Sequence, residues 1–216
     1  MQLNQFIDHT LLKPTATPKD IENLCKEAIA YQFIAVCIPP SYLRNAKSVL
    51  KDSNVKLATV IGFPLGAMTT EAKVFEAKDA LANGADEIDM VINIGMLKSG
   101  EAKYIEKEIT EIKKAIGSKI LKVIIETCYL TNAEKEAACK AALNANADFV
   151  KTSTGFGTAG ATFEDVKLMK KIAGDKMQIK ASGGIKDRET AIKYIELGIS
   201  RLGTSSAIKL VTSEEN

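Results

Sequence analysis

Residues 148–182 open with Asp148-Phe149-Val150-Lys151-Thr152 and close with Gln178-Ile179-Lys180-Ala181-Ser182. Between these two apolar runs, Thr162-Phe163-Glu164 opens a lysine-rich amphipathic stretch that stops at Gly174. The pattern predicts a strand, a helix capped by Thr162 and a second strand. Lys151 and Lys180 are 29 residues apart, the length of one βα step. Working outward, the same beat recurs along the chain. Candidate strands cover 6–10, 33–38, 57–63, 87–92, 122–126, 148–152, 178–182 and 201–204, the first and last being weak on their own. Helices are predicted to begin at Thr17-Pro18, with Pro in the first helical position, and near Thr69-Thr70-Glu71, 99–101, Thr131-Asn132-Ala133-Glu134, Thr162 and Asp187. Asn83-Gly84, Gly117, Asn146, Gly174 and Gly198 are the expected stops. Strand–helix alternation throughout points to an α/β fold with parallel strands, and eight units fit a (β/α)8 TIM barrel. An open doubly wound sheet is the rival, but it usually has fewer strands. No linker or low-complexity stretch interrupts 1–216, which is read as a single domain.

Composition narrows the function. Hydrophobic residues make up 46% and charged residues 26%, so the chain can bury a core, and disorder or a disulfide scaffold is disfavoured. The net charge of +2 gives no electrostatic case for a nucleic acid partner, and the only arginines are Arg44, Arg188 and Arg201. Cys25, Cys37, Cys128 and Cys139 have no CxxC spacing and His9 is the lone histidine, so a Cys/His metal site is not expected. The N-terminal Met1-Gln2-Leu3-Asn4-Gln5 lacks a signal-peptide pattern, and the longest weakly polar run, 57–68, is too short to span a membrane. A soluble cytoplasmic protein is the expectation.

Three charges stand inside strand-like runs: Asp89, Lys151 and Lys180. A strand covered on both faces tolerates a charge only if it is paired or functional. On adjacent parallel strands the two amines would meet, and repulsion would deprotonate one of them at lower pH. A neutral lysine can add to a carbonyl as a Schiff base, and Asp89 could move protons. Any one of the three alone would be explained by snorkelling or pairing. Their co-occurrence on successive units is what points to chemistry.

Glycine-rich turns follow the last two strands: Ser182-Gly183-Gly184 and Gly203-Thr204-Ser205-Ser206. Barrel enzymes often bind phosphate there, although each turn alone could be a simple helix cap. The hydroxyl-dense Lys151-Thr152-Ser153-Thr154-Gly155 adds Thr154 and Gly155 as candidate substrate contacts.

In order and spacing, several motifs resemble the deoxyribose-phosphate aldolase family over essentially the whole chain. They are Phe6-Ile7-Asp8-His9-Thr10-Leu11-Leu12, Ala35-Val36-Cys37-Ile38-Pro39-Pro40, Val60-Ile61-Gly62-Phe63-Pro64-Leu65-Gly66, Ala85-Asp86-Glu87-Ile88-Asp89-Met90-Val91, the stretch 149–155, and Lys180-Ala181-Ser182-Gly183-Gly184-Ile185. The resemblance implies a metal-free class I aldolase, without cofactor, that reversibly cleaves 2-deoxy-D-ribose 5-phosphate to D-glyceraldehyde 3-phosphate and acetaldehyde in deoxyribonucleoside breakdown. It implies Lys151 as the Schiff-base lysine, Lys180 as the second lysine and Asp89 as the acid/base. Asp8 and Thr10 would lie in the active site, Gly183, Gly184, Ser205 and Ser206 around phosphate, and Cys37 near the substrate. A homodimer or homotetramer is also implied. Two departures are visible: Phe156 stands where some members carry a lysine, and the last tyrosine is Tyr194 rather than a C-terminal one. The rival functions are another Schiff-base barrel aldolase with a different phosphosugar and a non-catalytic phosphometabolite-binding barrel.

Overall fold

The computed structural model describes residues 2–213, so Met1 and the C-terminal residues 214–216 lie outside the described residues. Eight parallel strands close into a barrel in chain order: β1 (Ile7–Thr10), β2 (Ala35–Ile38), β3 (Lys56–Ile61), β4 (Glu87–Val91), β5 (Ile120–Ile124), β6 (Phe149–Lys151), β7 (Gln178–Ser182) and β8 (Arg201–Thr204). β8 pairs with β1, which seals the sheet and leaves no free edge. The TIM-barrel expectation holds. The open-sheet alternative fails because the last strand returns to the first.

Outside the barrel run α1 (Pro18–Ala30), α2 (Leu43–Leu50), α3 (Thr70–Ala82), α4 (Ile94–Lys98), α5 (Ala102–Ile116), α6 (Asn132–Asn144), α7 (Phe163–Ala173), α8 (Arg188–Glu196) and α9 (Ala207–Thr212). The six expected helix starts are met. Thr17 with Asp20, and Thr131 with Glu134, form reciprocal capping boxes, while Thr69, Thr162 and Asp187 each accept a backbone N–H of the first turn. The expected stops bear positive φ, from +54° at Gly174 to +104° at Gly84. The six expected starts leave α2, α4 and the short α9 unaccounted for. α2 follows a 3-10 turn and has no side-chain cap, and α4 is only 5 residues long.

Strand limits differ by one or two residues. The third ends at Ile61 because Gly62, with φ +60°, turns the chain out of extended geometry. The fifth begins at Ile120 rather than at Lys122.

The main core lies between barrel and helices. Ile7, Val36, Ile38, Leu57, Ile88, Met90, Leu121, Val123, Val150, Ile179 and Leu202 point outward into it. His9 also faces that side and pairs with Glu27 at 2.8 Å. A period of two then sends the alternate residues of each strand into the lumen.

Candidate active site

Strand register decides which lumen side chains meet. Lys151 on β6 is level with Lys180 on β7, which is level with Arg201 on β8. Asp89 on β4 is level with Lys122 on β5. Asp8, Asp89, Lys122 and Lys180 are wholly buried, and Glu87, Lys151 and Arg201 nearly so. Burying a charge is expensive unless it is paired, and here each one is.

Asp89 is the hub. Its Oδ2 accepts from Lys151 Nζ at 2.7 Å and from Lys180 Nζ at 2.9 Å, while its Oδ1 accepts from Lys122 Nζ at 2.9 Å. Lys180 also donates to Asp8 Oδ2 at 2.5 Å, and Lys122 to Glu87 Oε2 at 2.5 Å. Arg201 closes the cluster from below, with Nη1 2.6 Å from Asp8 Oδ1 and Nη2 2.9 Å from Glu87 Oε1. The expectation that the two strand lysines meet is realised through the shared carboxylate oxygen.

Protonation follows from this geometry. Burial pushes the Lys151 ammonium below its usual range, Asp89 pulls it back, and Lys180 pushes it down again. The expected like-charge effect therefore has the right sign, but burial is the larger cause. Burial alone would also lower Lys180, yet Asp8 and Asp89 outweigh it and hold that ammonium above its usual range. Burial opposes ionisation of Asp89, but Lys122, Lys151 and Lys180 together hold it well below the carboxylate range. One amine held below its usual range thus sits between a carboxylate held below its range and an ammonium held above its own.

Lys151 forms part of the wall of a cavity of about 330 Å³ at the C-terminal end of the barrel. Thr10, Thr154, Gly155, Gly183, Gly184, Gly203, Ser205 and Ser206 line the same cavity. Asp8, Asp89 and Lys180 belong to the buried cluster that Lys151 joins to it. Cys37 is different: it is fully buried beside Ala58 and Val60, off the cavity wall, and burial raises its thiol pKa. Gly183 takes φ +85°, and an added Cβ would lie 2.9 Å from Gly160 Cα. At Gly203 a Cβ would come within 2.3 Å of Ser182 Oγ. Gly183 requires glycine on both counts, whereas a side chain at Gly203 would have to displace the Ser182 hydroxyl.

Sequence reading missed Lys122, Glu87 and Arg201, although Glu87 and Arg201 begin strand runs and all three share the lumen period with Asp89, Lys151 and Lys180. It also missed Lys13 and Lys186, which bring two cations to the cavity wall. Glu126, with φ +53°, accepts from the Thr154 N–H at 3.2 Å and from the Thr154 hydroxyl, pinning the loop after β6. Burial raises its pKa. Phe156 packs edge-on against Phe63, with centroids 5.4 Å apart. Among the described residues, no group of three or more His, Cys, Asp or Glu could hold a metal ion.

Comparison with known proteins places this arrangement. The family model described as DeoC/LacD family aldolase matches residues 3–201. A deoxyribose-phosphate aldolase of Brevibacillus brevis is 53% identical, with 98% of this chain and 96% of that protein aligned. One from Thermococcus gammatolerans is 56% identical, with 100% and 98% aligned. The solved structure described as the unique tetrameric structure of deoxyribose phosphate aldolase from Aeropyrum pernix superposes with a TM-score of 0.90 at 35% identity, covering 97% of this chain and 89% of that one. A buried lysine pair sharing one aspartate, in a barrel matched along nearly its whole length, assigns the chain to the DeoC/LacD family of aldolases.

Proposed function

We propose that the chain is a class I aldolase that reversibly cleaves 2-deoxy-D-ribose 5-phosphate to D-glyceraldehyde 3-phosphate and acetaldehyde, with Lys151 as the nucleophile. The observation that carries this reading is the 2.7 Å contact of the buried Lys151 with Asp89 at the wall of a cavity whose other groups suit a phosphosugar. Lys151 Nζ adds to the aldehyde carbon C1, and loss of water leaves an iminium ion. Asp89 removes the C3 hydroxyl proton, directly or through a water, and the C2–C3 bond breaks. Its electron pair flows towards the iminium nitrogen, giving an enamine, while C3 becomes the aldehyde of glyceraldehyde 3-phosphate. Protonation at C2 and hydrolysis release acetaldehyde and free Lys151. Lys180 stays charged beside Asp89, so the pair titrates as a unit with Lys151.

Lys13 and Lys186, together with Gly183, Gly184 and the hydroxyls of Ser205 and Ser206, form the phosphate end. The Ser206 N–H already donates to Thr204 Oγ1 at 3.0 Å, which leaves its hydroxyl to the substrate. The reading requires no metal, so chelator should leave turnover unchanged. Four free cysteines support a reducing cytoplasm. The tetrameric relative supports a homodimer or homotetramer, which light scattering would decide. Among the described residues no helix is long and apolar enough to cross a membrane.

Borohydride trapping tests the central step. Incubation with 2-deoxyribose 5-phosphate followed by reduction should leave a stable adduct on Lys151, mapped by mass spectrometry. Product formation with no lysine adduct would defeat the Schiff-base mechanism.

A further inference from the structure

The buried lumen cluster holds three carboxylates, Asp8, Glu87 and Asp89, against four potential cations, Lys122, Lys151, Lys180 and Arg201. Buried this deeply, such a cluster is most stable near zero net charge. Three carboxylates neutralise three cations, and the fourth must give up its proton. Lys151 is the odd one out by geometry. Lys180 bridges Asp8 and Asp89, Lys122 bridges Glu87 and Asp89, and Arg201 bridges Asp8 and Glu87. Lys151 alone rests on a single carboxylate oxygen, which it shares with Lys180.

We propose that Arg201, at the far end of the barrel from the substrate cavity, is a positioning residue that keeps Lys151 uncharged by occupying the carboxylate charge of Asp8 and Glu87. This rests on Lys151 being the nucleophile. Arg201 does not line the substrate cavity, so its action runs through the cluster. It begins β8 in register with Lys180, and Lys180 in register with Lys151, so the two residues stand two strands apart. Their backbones are therefore about 10 Å apart. The face of Phe149 packs 5.7 Å from its guanidinium, which holds it in place. An arginine suits the role because its charge survives burial, where a lysine could release its proton instead.

The other groups facing Lys151 do not restore the balance. Cys37 on β2 keeps its thiol proton because burial raises its pKa. Glu126, after β5, feels the charge of Lys151 through space, but burial raises its pKa, its carboxylate accepts from Thr154 rather than from Lys151, and among the described residues no ion pair joins it to the cluster. On the Arg201 side, Asp148, Asp175 and Lys176 line the opposite mouth of the barrel and form no ion pair with Arg201.

The test measures the pH dependence of Lys151 trapping by acetaldehyde and cyanoborohydride, read by mass spectrometry. Acetaldehyde carries no titrating group, so the acid limb reports the enzyme. Arg201→Met removes a cation, and protonated Lys151 would then balance the cluster, so the limb should move to higher pH by about one unit. Glu87→Gln removes a carboxylate and should move it to lower pH by a similar amount. Arg201→Lys should return the limb towards wild type. Opposite shifts support the inference, whereas a limb unmoved in both variants, or moved the same way in both, would overturn it. If Arg201→Met does not fold, Glu87→Gln decides alone, by a downward shift or its absence. Should wild-type Lys151 fail to be trapped at any pH, the nucleophile assignment itself is lost, an outcome separate from a trapped wild type whose variants do not shift.

Discussion

The outward and inward faces of the same strands follow opposite rules. On β4, Ile88 and Met90 point out into a continuous apolar layer, while Glu87 and Asp89 point in to lysines and an arginine. β7 repeats this, with Ile179 and Ala181 outside and Lys180 inside. The outer layer is held by apolar burial, which is non-directional and tolerates repacking. The inner cluster is held by partnered charges, which offset one another only while every partner is present. The outer face therefore contributes by burial alone, while the inner one holds only as long as every charge keeps its partner.

The sharpest way to break that division is at Lys151, the proposed nucleophile. Lys151→Arg keeps a cation on the inner face but cannot form the iminium ion, so turnover should fall by about 10⁴-fold or more, read as kcat with a circular dichroism spectrum unchanged. Substantial residual activity would move the chemistry elsewhere. Lys122→Met keeps the bulk and removes a charge. It leaves Glu87 and Asp89 each short of a partner, so unfolding free energy should drop by about 3–5 kcal/mol in denaturant titration, with turnover reduced as well. On the outer face, Ile88→Ala should lose about 2–5 kcal/mol from the cavity it opens, yet keep kcat near wild type. If Ile88→Ala abolished turnover in protein that remained folded, the two faces would not be separable.

Acid should separate them too. Asp8 and Asp89 have folded pKa values below their usual 3.8, so their contribution is complete above that value and is lost as pH falls further below it. Stability measured by denaturant should therefore decline below about pH 4, where the apolar layer is indifferent to protons. The smallest effect belongs to a helix end. Thr131→Ala removes the hydroxyl of a capping box and should cost about 1 kcal/mol in thermal unfolding without touching catalysis.

Much of this division was legible before folding. Thr17, Thr69, Thr131, Thr162 and Asp187 mark helix starts because a cap is a contact between residues three apart in the chain. The inner charges were legible only in part. Asp89, Lys151 and Lys180 stand out because apolar neighbours surround them, whereas Lys122, Glu87 and Arg201 sit at or near strand beginnings and look like ordinary boundary charges. Their sequence separations, such as 114 residues between Glu87 and Arg201, carry no local signal. Cys37 shows the reverse: its motif is plain, yet the structure puts the thiol off the cavity wall.

By itself, the sequence determined the alternation of strand and helix, the helix ends and the presence of lysines inside strand runs, because these depend on short-range pattern and residue chemistry. Only the tertiary structure decided that Asp89 would bridge both amines, that burial rather than repulsion would be the main influence on Lys151, and that Arg201 would close the charge balance from the far end. Those facts depend on closing β8 onto β1 and on register across six strands. Register brings together residues that the chain keeps far apart, in a space where water no longer screens them.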